Sequence, residues 1–142
     1  MNMNDIDAMA SRLRTVFRHF LRRADLIAGV GAPTRCEQGV LAWLDEKGPM
    51  TPSALSTEQK VRPQTMGQTL DSLDRRRWIK RAPHPKDRRQ VLISLSASGQ
   101  KALIKGRRLR QAWLVGELKK LRPEERKALM ATIDILERIV QS

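Results

Sequence analysis

The sequence predicts a mainly α-helical fold that carries one small β-hairpin. Three observations predict it. Apolar residues recur at three- and four-residue steps over most of the 142 residues, which marks helices with one buried face. Helix-opening prolines and N-cap residues divide that pattern into separate helices. A single short run changes period: Val91, Ile93 and Leu95 alternate with Leu92 and Ser94, as residues of a strand do.

Ile6, Met9, Leu13, Val16, Phe17, Phe20, Ala24 and Ile27 form the stripe of a first helix, and five arginines from Arg12 onward lie mostly off it. Gly29 and Gly31 stop this helix. Thr34, followed three residues later by Glu37, reads as a capping box, in which each side chain satisfies a free backbone N–H. Val40, Leu41 and Leu44 give the second helix its buried face, and Gly48-Pro49 ends it. Thr51 then caps a short third helix that opens on Pro52, where a missing N–H costs nothing. Ala54 and Leu55 face inward from it. After Val61, Arg62-Pro63 opens a fourth helix with Met66, Leu70 and Leu73 inward and Gln64, Gln68, Asp71 and Arg75 mainly outward. Two short helices joined by a brief turn, the second polar on its outer face, are a helix-turn-helix candidate.

Ile79 begins an extended run that breaks at 83–87, and the alternating run follows, so the pair reads as a hairpin with Lys86, Arg88 and Arg89 at its tip. Ser96 caps a long basic helix that runs to about Leu121. Pro123 with Glu124 and Glu125 opens the last helix, since acids favour the positive end of a helix. Its stripe is Leu129, Ile133, Leu136 and Val140. The order is four helices, a hairpin and two helices: a winged helix-turn-helix between flanking helices. A chain of this length suits one domain, 1–142, and is short for two. The reading module falls at 34–98, and the terminal helices at 1–30 and 100–142 carry more apolar stripe than so small a domain readily buries, which makes a partner helix plausible.

Basic residues number 28 against 15 acidic, a formal charge of +13. Between positions 60 and 110, fifteen basic residues face only Asp71, Asp74 and Asp87, which leaves +12 in that one stretch. Charge concentrated this way suits a polyanion. There is no Tyr, and the other aromatics are Phe17, Phe20, Trp43, Trp78 and Trp113, few rings for a surface that stacks unpaired bases. Double-stranded DNA is the expected partner. One cysteine excludes an internal disulfide. No run of ~20 apolar residues suggests a membrane span or membrane partner, and a cytoplasmic location is the default expectation.

The turn Asp87-Arg88-Arg89, followed by the strand ending Leu95-Ser96-Ala97-Ser98-Gly99, resembles the wing signature of the multiple-antibiotic-resistance regulator (MarR) family. The run from Met50-Thr51-Pro52 through Val61 to Leu70-Asp71-Ser72-Leu73 is similar to that family's helix-turn-helix, and the likeness extends over nearly the whole chain. The resemblance implies a homodimer whose first and last helices interlock, with Ile6, Met9, Leu13, Val16, Leu129, Ile133, Leu136 and Val140 at the interface. It also implies two winged modules that read a near-palindromic duplex. Members mostly repress transcription and release DNA on sensing an oxidant or a small, often aromatic, acid. This chain departs from the pattern twice. Arg62 stands where a capping Ser is usual, and Arg77 where a glycine commonly follows the reading helix, so either the geometry differs or the helix ends by another route.

On the reading helix, Gln64 and Gln68 suit adenine, Arg62 suits guanine, and Thr65 serves either, all in the major groove. Gly67 permits close backbone approach. Arg88 and Arg89 at the hairpin tip suit a narrow minor groove, and Lys86 on the same turn is a further DNA-binding candidate. By resemblance, Arg89 enters that groove and Asp87 orients it. Arg75, Arg76, Arg77, Lys80 and Arg81 are candidates for phosphate neutralisation. Lys101, Lys105, Arg107, Arg108 and Arg110 equally suit a solvated helix face. Cys36 follows Arg35 in a first helical turn, and a buried or incidental thiol is favoured over a redox sensor. His19 and His84 have no ligand-spaced partner, so no metal or other cofactor is expected. No nucleophile signature or phosphate loop points to an enzyme. An effector pocket would lie between the flanking helices and the reading module, with Trp43 or Trp113 lining it or serving as core, and would take a small aromatic or amphipathic effector. The rival to a sequence-specific regulator is an architectural protein that binds duplex of any sequence. Gln64, Thr65 and Gln68 favour the regulator, because a non-specific binder has no need of base-edge groups.

Overall fold

The computed structural model describes residues 1–142 and orders them as α1 (Met3–Ala28), α2 (Arg35–Lys47), α3 (Pro52–Gln59), α4 (Pro63–Arg75), β1 (Ile79–Pro83), β2 (Val91–Leu95), α5 (Ala97–Lys119) and α6 (Pro123–Gln141). This is the expected order. Its caps are the expected residues too. Thr34 Oγ1 accepts from the N–H of Glu37 at 3.2 Å, and Glu37 returns the bond to the N–H of Thr34 at 2.9 Å. Thr51 and Ser96 cap α3 and α5 through the side-chain oxygen alone, accepting from the N–H groups of Ala54 and Gly99. One further cap carried no expectation: Asn2 and Asp5 form a capping box that starts α1.

The hairpin is antiparallel, with Ile79 opposite Leu95 and Arg81 opposite Ile93. A third segment joins it. Met50 exchanges both backbone hydrogen bonds with Ile93, at 2.9 and 2.8 Å, so the residue before the N-cap of α3 is pinned to the free edge of β2. A lone bridging residue has no alternation of its own, and the sequence gives no periodicity by which to find it.

The core is a cluster drawn from α2, α3, α4, both strands and α5, in which Leu41, Leu55, Met66, Leu70, Leu73, Ile93 and Leu103 are fully buried. Each such side chain contributes about 1.5–3 kcal/mol relative to exposure. The reading helix α4 is therefore fixed along one face by Met66, Leu70 and Leu73. The ends of the chain differ. α1 buries only Ala24 and Ala28, and α6 buries nothing. Ile6 is 50% exposed, Met9 52%, Val16 59%, Leu129 37%, Ile133 40% and Val140 84%, while Leu13 and Leu136 are half-buried. These stripes have helical spacing but no covering partner within the chain.

Arg77 resolves the departure from the resemblance. It occupies the left-handed region, φ 59°, although it carries a Cβ. The helix still ends by left-handed capping: the N–H of Trp78 reaches the carbonyl of Leu73 at 3.1 Å. Ser96 Oγ donates to the Arg77 carbonyl at 2.7 Å, which holds the strained peptide from the far side. A residue strained in this way costs about 1–2 kcal/mol over glycine, and the surrounding bonds over-determine it.

Candidate nucleic-acid interface

Lys60, left-handed at φ 56°, is the C-cap of α3, and three residues later α4 begins at Pro63. Arg62 has the extended backbone of an N-cap but makes no side-chain cap bond, and Pro63 occupies the first turn. The N–H groups of Gln64 and Thr65 thus remain free at the positive end of the helix, on exposed residues, an arrangement that favours a phosphate oxygen. Arg62, Gln64, Thr65, Gly67 and Gln68 are all exposed, and an added Cβ at Gly67 would meet nothing within 4 Å. Behind them lie Met66 and Leu70, each 1% exposed. The polar face is held outward by the burial of the opposite one, and Arg75 continues it to the last turn.

At the wing, Asp87 and Arg89 form a two-pronged pair. Arg89 Nε donates to Asp87 Oδ1 at 3.1 Å and Nη2 to Oδ2 at 3.2 Å, while the Arg89 N–H also reaches Oδ1. The Arg89 side chain and backbone N–H, in that order, hold the Asp87 carboxyl below its usual range. A depressed carboxylate keeps its pairing as pH falls until its own lowered value is reached. His84 Nδ1 accepts from the N–H groups of Lys86 and Asp87 at 3.1 and 3.2 Å, so the turn is closed from both sides. The Arg89 side chain is 90% exposed, aimed but uncovered. Lys86 and Arg88 are exposed beside it.

The structure divides the basic residues read as phosphate partners. Arg75, Arg77 and Lys80 are exposed and make no ion pair within the chain. Arg81 instead lies between Asp74 and Asp71 and clamps the base of the wing to α4. Arg76 is paired to buried Glu37 at 3.2 Å, its guanidinium 4.4 Å from the Trp78 ring centroid. Both are committed to ion pairs within the fold, Arg81 with two carboxylates of the neighbouring α4 and Arg76 with one from α2. On α5, Arg107 pairs with Asp45 and Arg110 with Asp25, whereas Lys101, Lys105 and Arg108 have no acidic partner.

Cys36 is exposed, which removes the buried alternative for this thiol. Cys36→Ser is expected to leave DNA binding and its regulation nearly unchanged. Release of the wild type, but not the mutant, from DNA by peroxide would show the opposite. The two tryptophans also separate. Trp43 packs on the edge of the core, with Lys47 over its ring. Trp113 packs against Phe20, ring centroids 5.4 Å apart, in a cleft of about 640 Å³ between α1 and α5. Leu21, Ile104 and Leu114 add apolar wall, and Gln38, Arg108 and Arg110 line its rim. No helix is long and apolar enough to cross a membrane.

A family profile described as MarR family matches residues 35–90, the segment that holds α2, both helices of the reading unit and the wing tip. Two HTH-type transcriptional regulators, from Mycobacterium bovis and Mycobacterium tuberculosis, are each 42% identical over 96 residues, which span 68% of this chain and 67% of the relative. Among solved structures, a transcriptional regulator protein from Pseudomonas aeruginosa superposes with a TM-score of 0.84 at 28% identity, covering 100% of this chain and 99% of that one. A variant of MarR from E. coli complexed with operator DNA shares the fold at a TM-score of 0.77 and 24% identity, over all of both chains. With its helix-turn-helix and wing in the matched segment, this chain belongs to the MarR family of transcriptional regulators.

Proposed function

We propose that the protein is a sequence-specific, double-stranded DNA-binding repressor that acts as a homodimer on a near-palindromic operator and answers to a small effector. The observation that carries this reading is the outer face of α4: Gln64, Thr65 and Gln68 stand exposed while Met66, Leu70 and Leu73 lock the opposite face into the core. Directional amide and hydroxyl groups on a rigid helix suit base edges. Arg62 joins them as a guanine contact and Arg75 as a phosphate contact; Lys86 stands on the wing turn, from which Arg88 and Arg89 extend toward a minor groove, with Asp87 orienting Arg89. In this arrangement 34–98 is the reading module. The segments 1–30 and 100–142 pair the two copies through Ile6, Met9, Leu13, Val16, Leu129, Ile133, Leu136 and Val140. The Phe20–Trp113 cleft suits an aromatic or amphipathic effector, with arginines for an acidic group. The protein works in the cytoplasm, without catalysis.

Selection of bound duplexes from a random pool tests this reading. At physiological salt the selected site should be preferred over random DNA by about 10³-fold or more; a preference near unity would leave an architectural protein. Within the site, helix and wing should differ in kind. Gln68→Ala is expected to cost about 1–3 kcal/mol and to relax the preference at one position per half-site. Arg89→Ala should weaken many sequences together and flatten the salt dependence by up to about one phosphate per wing, leaving major-groove preferences intact. Binding across single-base variants at several salt concentrations separates them, and a reversal of the two behaviours would reverse the roles.

A further inference from the structure

His84 stands between Pro83 and Pro85, where the chain enters the wing turn. Neither proline has an N–H to give, so the turn starts two main-chain donors short. The imidazole does part of the closing instead. Its Nδ1 accepts from the N–H of Lys86 at 3.1 Å and from that of Asp87 at 3.2 Å, and neither N–H has another acceptor in the chain. The main chain completes the loop around it: the His84 N–H reaches the carbonyl of Gln90 at 3.1 Å, and the Gln90 N–H reaches that of Asp87 at 3.0 Å. Between positions 80 and 90 only His84 and Asp87 are half-buried, and every other residue is exposed.

These bonds form a chain of command. Asp87 is held through its N–H by His84 and holds Arg89 through both carboxylate oxygens. The direction of Arg89 follows from Asp87, and that of Asp87 from the turn that the imidazole shapes. The arrangement demands one form of the ring. A neutral imidazole with its proton on Nε2 leaves Nδ1 free to accept, whereas an imidazolium carries N–H on both nitrogens and accepts nothing.

We propose that His84 is the positioning residue of the wing: neutral, it shapes the turn that delivers Arg89 to DNA, and protonated, it lets that turn open. The inference rests on the minor-groove role of Arg89 proposed above. The charged groups near the ring are Lys86, Asp87, Arg88 and Arg89 of its own turn. On the flanking strands, Lys80 lies at the far end and Arg81 is paired with Asp71 and Asp74 of α4, while β2 carries no charge. The bonds from the Arg89 side chain and N–H hold the Asp87 carboxyl below its usual range, so Asp87 stays ionised in mild acid. Histidine is the side chain that changes charge between about pH 5 and 8. A proton gained beside phosphates would by itself tighten binding; an opened turn loosens it. The sign of the pH effect therefore separates a positioning ring from one more surface cation.

The test measures binding to the selected duplex at fixed salt for the wild type, His84→Ala, His84→Asn, Arg89→Ala and His84→Ala/Arg89→Ala. His84→Ala should weaken binding by about fivefold or more, close to the loss in Arg89→Ala. His84→Asn should stay within about twofold of the wild type, because an Asn side chain also accepts from the N–H two residues on. In the Arg89→Ala background, His84→Ala should cost less than about twofold, since residues that act through one contact do not add. Lowering the pH from about 7.5 to about 5.5 should weaken the wild type about threefold more than His84→Asn; His19 on α1 is common to both proteins and drops out of that comparison. A full loss in the Arg89→Ala background overturns the inference, because His84 would then meet DNA in its own right. Wild-type binding that tightens in acid, or follows the same pH profile as His84→Asn, also overturns it. So does a His84→Ala protein that fails to fold, which would make the turn a folding element. If Arg89→Ala weakens binding and a folded His84→Ala does not, the proposed function stands and the inference alone fails. If Arg89→Ala itself binds as the wild type does, the wing's part in that function fails and takes the inference with it.

Discussion

Removal of residues 1–20 is expected to leave a monomer or an aggregate and to weaken operator binding by about 10²–10⁴-fold, the range by which linking two binding units exceeds either alone. The expectation rests on burial. Within the single chain no residue before Ala24 is buried, and α6 buries none at all, although both helices carry apolar stripes at regular helical spacing. Isolated amphipathic helices gain most of their stability from packing that stripe, so each needs a surface that the chain itself does not supply. Sedimentation and DNA titration on the intact and shortened proteins give the comparison. An intact protein that sediments as a monomer at micromolar concentration would remove the basis of the expectation.

Gly99→Ala should destabilise the fold by about 3 kcal/mol, the upper part of the usual range for overpacking, and take DNA binding down with it. A Cβ at this position would lie 2.0 Å from the carbonyl oxygen of Trp78 and 3.1 Å from Leu95 Cδ1. The first contact is backbone and cannot rotate away. It is also engaged, since the same Trp78 oxygen accepts from the N–H of Ser96 at 3.0 Å. The Leu95-Ser96-Ala97-Ser98-Gly99 run thus has a physical meaning: Ser96 caps α5 and grips Arg77, and Gly99 lets the first turn of α5 lie directly on the Trp78 peptide. Chemical denaturation read by circular dichroism measures the cost. An unchanged midpoint would mean that α5 can shift without penalty. Gly39→Ala is a useful contrast, because its added Cβ would meet only the movable Gln59 side chain.

Much of this was legible in the residues. Thr34, Thr51 and Ser96 each announce a helix start by chemistry confined to three or four neighbours, and a proline at a first turn does the same. The inward residues of α4 follow from spacing alone. What resisted reading depends on contacts between distant segments. Met50 joins β2 as a single bridge, without a pattern of its own. Arg76 and Arg81 look like any basic residues near a reading helix, and only the fold brings Glu37, Asp71 and Asp74 up to them. Arg77 was visible as a conflict between residue and position. Its resolution, a strained peptide held by Ser96 nineteen residues away, lies beyond any local rule. Gln64, Thr65 and Gln68 are exposed as their spacing implies, while the separation of Trp43 from Trp113 required the packing of α1 on α5.

The seat of α5 on the Trp78 peptide makes that helix a lever. Its 23 residues form a rod of about 35 Å, seated where Ser96 and Gly99 meet Arg77 and Trp78, just beyond the reading helix. A displacement of about 3 Å at the free end of such a rod turns the pivot by only about 5°. Conversely, a few degrees imposed at the pivot appear as several ångströms at the other end. The segment from Arg77 to Ile79 is thus where the start of α5 and the end of the reading helix meet, so a tilt of either is felt by the other there.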